Sequence, residues 1–269
     1  MSASQELYQS AEQLHLAVAP PAGATEVVLF LHGWSCRASD WLSTIDALEG
    51  RWPVLVPDLP GHDGSHGVAW DDWTIVGLGR LVSALAESKG IERLHLVGHS
   101  MGGAVALEAA RAWAEAHGQD ALGAVVLVDT FGLPYGDMDA DTIASIETPF
   151  HTDFVAAMHQ LVDATTAAAL PEETRRWVRE RMASADPDKM LPLWADLLRW
   201  TPTRAFAELQ CPILALNGEH IPEPAQQRCA ERVNTQVLPG THHFPLFEAP
   251  QAFVRELCAA LDPHFTSNG

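Results

Sequence analysis

Leu94-His95-Leu96-Val97-Gly98-His99-Ser100-Met101-Gly102-Gly103 is the stretch on which the fold turns. An apolar run ends at Gly98, Ser100 stands at the centre of a G-x-S-x-G pentapeptide, and apolar residues spaced by three and four follow over Met101–Ala116. Strand, serine, helix is the order in which this pentapeptide carries chemistry. So tight a turn strains its central residue and lifts the hydroxyl above the sheet. Small residues two positions to either side, Gly98 and Gly102, let neighbouring backbone approach without a Cβ clash. The helix amino terminus behind Ser100 favours negative charge developing nearby. The competing reading is a glycine-rich turn whose serine only caps the helix.

Outward from this turn, short apolar runs alternate with helical patterns. The runs are residues 26–31, 53–56, 94–97, 124–128, 211–216 and 235–238, each closed by Gly, Pro or Asp. Runs of this length suit strands buried on both faces. Residues 41–48, 76–87, 101–116 and 252–261 space their apolar residues as amphipathic helices do. The alternation predicts an α/β fold with a mostly parallel central sheet covered by helices on both sides. Between Gly132 and about Ala207 the alternation stops, and helical patterns at 154–168, 172–183 and 188–200 take over. That is too long for a plain loop, and it reads as a helical lid over the strand ends. The expected organisation is a core in two parts, 1–131 and 208–269, around a lid at 132–207.

Composition narrows the partners. The 269 residues carry 35 acidic and 16 basic side chains, a formal charge of −19. Such a surface repels phosphate backbones and anionic lipids, so the expected partner is a small-molecule substrate, with no nucleic acid and no membrane. No apolar run reaches the 18 or so residues that a spanning helix needs. The polar first 14 residues lack a secretory pattern. Cys36, Cys211, Cys229 and Cys258 are scattered, without CxxC or zinc-ligand spacing, and read as reduced thiols of a cytoplasmic protein. Neither a metal nor an organic cofactor is expected. The sequence leaves the oligomeric state open.

Four motifs in order give the chain a family likeness. They are Leu31-His32-Gly33-Trp34, Asp58-Leu59-Pro60-Gly61-His62, Gly98 to Gly102, and Gly240-Thr241-His242-His243-Phe244-Pro245 followed by Glu248-Ala249-Pro250. Together they resemble the α/β-hydrolase superfamily, in its serine-nucleophile, lidded, esterase-like branch. The resemblance implies Ser100 as nucleophile and His243, the histidine directly before Phe-Pro, as base in preference to His242. It implies an oxyanion hole from the backbone N–H groups of Trp34 and Met101. His32, His62 and His99 belong to turn motifs and read as structural.

The acid partner is read from two places. Many relatives carry it in a G-x-x-D pattern, which this chain spells Gly218-Glu219-His220-Ile221, with apolar Ile221 at the expected position. The other location is the end of the preceding strand, where Asp129 follows Val125 to Val128; a carboxylate there lies where open α/β sheets place ligands. Asp129 is the expected acid, with Glu219 or Glu223 as alternatives.

The implied reaction is hydrolysis of a small carboxylic ester or related acyl compound through an acyl-enzyme. Relatives on the same fold include carbon–carbon bond hydrolases, lyases and cofactor-independent dioxygenases, and a non-catalytic ligand-binding protein is the reading of a different class. Trp177, Trp194 and Trp200 are expected to help shape an apolar pocket. Arg175, Arg176, Arg179 and Arg181 form the one basic cluster, either a docking site for a carboxylate or a solvated face paired with neighbouring glutamates.

Overall fold

The computed structural model describes residues 3–266. Its strands are β1 (Leu16–Val18), β2 (Glu26–Leu31), β3 (Val54–Pro57), β4 (Arg93–His99), β5 (Leu122–Val128), β6 (Ile213–Asn217) and β7 (Asn234–Val237). They form one seven-stranded sheet in the order β1-β3-β2-β4-β5-β6-β7, in which only β1 runs antiparallel to its neighbour. The apolar runs explain the middle of this sheet: every residue of β3 and β5 is buried, as are Val27 to Leu31 of β2. The expectation of burial on both faces fails at β7, an edge strand exposed along its whole length. Its residues Asn234, Thr235 and Gln236 are polar and pair on one side only.

The helices are α1 (Ala3–Glu12), α2 (Leu42–Ala47), α3 (Ile75–Ser88), α4 (Met101–His117), α5 (Ala140–Thr152), α6 (Phe154–Thr165), α7 (Glu172–Ala183), α8 (Pro187–Arg199), α9 (Thr203–Glu208), α10 (Glu223–Cys229), α11 (Pro245–Glu248) and α12 (Pro250–Leu261). Helix α4 lies against β2, β4 and β5 with α3 and then α1 packed behind it, while α12 lies against β5, β6 and α2. Right-handed crossovers put these two sets on opposite faces. The chain moves outward from β2 to β3, then returns across β2 to β4. The crevice at this reversal opens at the carboxyl ends of β2 and β4, where such sheets hold their ligands.

Helices α5 to α9 fill the interval between β5 and β6. Residues 154–168, 172–183 and 188–200 are helical over most of their length, as the periodicity predicts. Helix α5 is an addition, because Pro149 inside it and a sparse apolar stripe hide its period. Its start was readable: the Asp139 side chain accepts the Thr142 N–H at 2.8 Å. Helix α1 and strand β1 are additions as well, one too polar and the other too short to stand out.

Candidate active site

Ser100 is the hinge between β4 and α4, at φ 53° and ψ −121°. The left-handed φ costs a non-glycine residue energy, which the surroundings must hold in place. They do so by close approach. A Cβ on Gly98 would fall on the Gly102 carbonyl, and one on Gly102 would fall on the Leu31 and His32 carbonyls at the end of β2. The Ser100 hydroxyl makes no capping bond to α4, unlike Thr74, Asp139 and Asp153 at the starts of α3, α5 and α6. The capping alternative therefore fails: the hydroxyl is turned toward His243.

The structure brings together Ser100 from the end of β4, Asp129 from the end of β5 and His243 from the loop between β7 and α11. Nε2 of His243 lies 3.0 Å from the Ser100 Oγ, and Nδ1 lies 2.6 Å from Oδ2 of Asp129. A carboxylate accepts, so Nδ1 carries the proton and the Nε2 lone pair faces the hydroxyl, which donates. Asp129, at φ 45°, is buried directly after β5, and its Oδ1 accepts the Gly218 N–H at 2.8 Å. Both carboxylate oxygens are thus engaged and the imidazole is held in one orientation. His242 turns away: its ring stacks on His220 at 4.2 Å, and its N–H donates to Glu248. Glu219 is exposed and Glu223 bonds Gln227, so neither reaches His243, and Ile221 is buried as its apolar character requires.

His32, His62 and His99 are buried side chains that hold loops. His32 donates from Nδ1 to the Gly33 carbonyl and accepts the Leu59 N–H at Nε2, at 2.9 and 3.0 Å. His62 donates to the Pro60 carbonyl at 2.9 Å. His99 donates from Nε2 to the His243 carbonyl at 2.7 Å, so the residue beside Ser100 also fixes the loop of the facing histidine. Burial pushes His32 down to about 4 and both His62 and His99 down to about 3, leaving all three neutral at pH 7.

A cavity of about 290 Å³ opens over Ser100, roofed by the insertion. Its walls are largely apolar: Trp34, Leu133, Ile146, Phe150, Leu161, Met182 and Trp194, with Tyr135 among them. The Trp34 indole stacks on Trp194 of α8 at 4.4 Å and donates to the Met190 carbonyl at 2.9 Å, tying the β2 loop to the insertion. Of the three insertion tryptophans expected at the pocket, only Trp194 lines it. Trp177 is exposed and packs on Phe247, and Trp200 is buried with its Nε1 donating to Glu108. The backbone N–H groups of Trp34 and Met101 have no acceptor among the described residues. Among the described residues no group of three His, Cys, Asp or Glu is placed to hold a metal ion, and no helix is long and apolar enough to cross a membrane.

The arginine cluster resolves into separate contacts. Arg175 bonds the Thr166 hydroxyl, the Ala167 carbonyl and Glu172; Arg179 bonds Asp163 and Glu172. Arg181 reaches Ser39 and Asp40 of the core, and Arg176 is exposed. Sequence reasoning missed Glu248 as a connector. One of its oxygens accepts the Ala167 N–H and the other the His242 N–H, both at 2.6 Å, while the His243 N–H donates to the Thr165 carbonyl at 3.0 Å. The end of α6 and the histidine loop are one bonded unit. The E-x-P pattern marked Glu248 without saying what it would hold.

Residues 28–256 match the sequence pattern of the alpha/beta hydrolase family. Monoacylglycerol lipase abhd6-A of Xenopus laevis is 41% identical over 81 residues, 29% of this chain and 24% of that protein. The 2-hydroxy-6-oxo-6-phenylhexa-2,4-dienoate hydrolase of Comamonas testosteroni is 35% identical over 116 residues, 42% of this chain and 39% of that protein. These matches span less than half of the curated relatives' length. A thermophilic esterase from Thermogutta terrifontis shares the fold at a TM-score of 0.77 and 22% identity, over 94% of this chain and 95% of that one. With the family's pattern matched from β2 to α12, the chain belongs to the alpha/beta hydrolase family.

Proposed function

We propose that the protein is a serine hydrolase that cleaves a small carboxylic ester, or a related acyl compound, through an acyl-enzyme on Ser100. The observation that carries this reading is the relay from Asp129 through His243 to a serine hydroxyl not engaged in helix capping, at 2.6 and 3.0 Å. His243 takes the hydroxyl proton as Oγ attacks the acyl carbonyl, and Asp129 steadies the imidazolium. The N–H groups of Trp34 and Met101 receive the oxyanion. His243 returns the proton to the leaving alcohol, then draws one from water, whose oxygen attacks the acyl carbon; the proton passes from His243 back to the Ser100 Oγ as the acid leaves.

Residues 132–207 act as the lid between core segments 1–131 and 208–269. By closing an apolar cavity over Ser100 they exclude bulk water and select the acyl group. The dienoate named for the Comamonas testosteroni relative is an anion, whereas no arginine or lysine lines this cavity, which supports ester over carbon–carbon bond hydrolysis. Four free cysteines, three of them buried, support a reducing, cytoplasmic setting.

Reaction with a fluorophosphonate tests the nucleophile without knowledge of the substrate. Wild type is expected to label, and Ser100→Ala and His243→Ala to lose labelling. A folded wild type that stays unlabelled would remove the acyl-enzyme reading.

A further inference from the structure

Resting on the acyl-enzyme reading, we propose that the site selects electrically neutral acyl compounds over those bearing a carboxylate, and that Tyr135 donates its hydroxyl to a second, neutral oxygen of the substrate.

The cavity lacks a fixed positive charge. No arginine or lysine is among its lining residues. The nearby guanidinium groups are occupied, Arg175 on Thr166 and Ala167, Arg181 on Ser39 and Asp40, and Arg228 on the Tyr135 carbonyl and the Asp137 carboxylate. The carboxylate already in the site is Asp129, its oxygens shared between His243 and the Gly218 N–H. A substrate carboxylate would lose its water, meet no cation and lie close to a like charge, which an apolar wall makes costly. His99 is neutral, and burial together with neighbouring His220 holds His242 below the usual imidazole range, so these histidines offer no counter-charge at neutral pH. The whole chain, at −19, repels the anion before it arrives.

Two neutral hydrogen-bond donors stand on the cavity wall. Tyr135 is buried on its wall, and its hydroxyl has no partner among the described residues. Phe131 and Trp200 flank its ring at 6.5 and 6.3 Å, and Arg228 grips its backbone carbonyl. Burial and the Asp129 charge push the phenol up, so it stays a donor across the working pH range. Trp194, on the same cavity, also has a buried indole N–H without a partner. A polar group enclosed by apolar walls is stabilised when a ligand supplies the missing hydrogen bond. Neutral donors without an arginine or lysine beside them describe a receptor for a carbonyl or ether oxygen.

Three ethyl esters of one shape separate the possibilities at pH 8: ethyl pentanoate, ethyl 4-oxopentanoate, which adds a neutral oxygen, and monoethyl succinate, which ends in a carboxylate. Released ethanol gives kcat/KM. The expected order places the oxo ester first and the succinate on the order of a hundredfold below either neutral ester. Titrating Ser100→Ala while following tryptophan fluorescence, to which Trp34 and Trp194 on the cavity wall contribute, gives affinity without turnover, and the same order is expected there. Succinate binding as tightly as the neutral esters, or neutral esters that do not bind, would overturn the charge selection. Preserved binding order with no ester turnover would instead remove the acyl-enzyme reading and leave the selection standing. Tyr135→Phe is expected to lower the ratio of oxo ester to pentanoate about fivefold; an unchanged ratio overturns the role of Tyr135.

Discussion

The carboxyl ends of the strands and the helical insertion build the two halves of one cavity by different means. At the strand ends the backbone decides. Ser100 and Asp129 leave neighbouring strands β4 and β5 at positive φ, and Gly98 and Gly102 stand where no Cβ fits. In the insertion side chains decide. Ile146 and Phe150 of α5, Leu161 of α6 and Trp194 of α8 reach the cavity from helices that pack by apolar contact. A few polar bonds join the halves: Trp34 to Met190, His243 to Thr165, Glu248 to Ala167, and the Ile75 N–H to Asp196 at 2.7 Å. Such a division leaves the side chains at the strand ends fixed whatever residues the insertion presents to the cavity.

The largest effect is expected from changing the carboxylate at the end of β5. Asp129→Asn keeps the volume but replaces the Oδ2 acceptor of His243, and the imidazole can then turn its lone pair toward the amide. The expected loss in kcat is about 10⁴-fold, the size this change has in the serine-protease triad, with KM little altered. Glu219→Gln, in an exposed loop, should leave kcat within about twofold of wild type. A large loss confined to Glu219→Gln would sink the assignment of Asp129.

The same division governs how much could be read from residues alone. The turn at Ser100 and the position of Asp129 could be read because backbone geometry restricts what may stand beside them, whereas His243 rested on the resemblance of its Phe-Pro segment. The tight turn demands glycines, and a strand end followed at once by a carboxylate is visible in Val125 to Asp129. The insertion gave up its helices through their period and little else. Periodicity says that a helix has an apolar face, but not what that face meets; hence Trp194 lines the cavity, Trp200 packs beneath it and Trp177 is exposed. Tyr135 lies in a loop with no pattern to mark it. Glu248 works through backbone N–H groups of residues 167 and 242, a long-range pairing that no local signal announces.

Acid should weaken the strand-end half through the histidines that support its loops. His32, His62 and His99 titrate near 4, 3 and 3 in the folded chain, against about 6.5 when unfolded. A base whose folded pKa lies below its unfolded value contributes stability in full above the unfolded value. That contribution disappears as pH falls toward the folded value. Below pH 6.5 and down to about 4, unfolding therefore takes up as many as about three protons, a slope on the order of 4 kcal/mol per pH unit. Urea midpoints at pH 7, 6 and 5 measure it, and a midpoint that holds steady over this range would contradict neutral burial of these rings.

The smallest effect discriminates within the insertion, between two adjacent arginines. Arg175 donates to the Thr166 hydroxyl at 3.0 Å and the Ala167 carbonyl at 2.9 Å, next to the Thr165 carbonyl that accepts the His243 N–H. Arg176, one residue on, is exposed. Removing Arg175 leaves the half-buried Ala167 carbonyl without its partner and takes a donor from the buried Thr166 hydroxyl, and it loosens the segment that seats His243. Arg175→Ala should therefore cost about 1–2 kcal/mol and lower kcat/KM a few-fold. Arg176→Ala should leave both the Tm and the rates for neutral and anionic esters where they are. If Arg176→Ala instead reduced turnover of an anionic ester alone, the cluster would be a docking surface after all, and the insertion would recognise charge as well as shape.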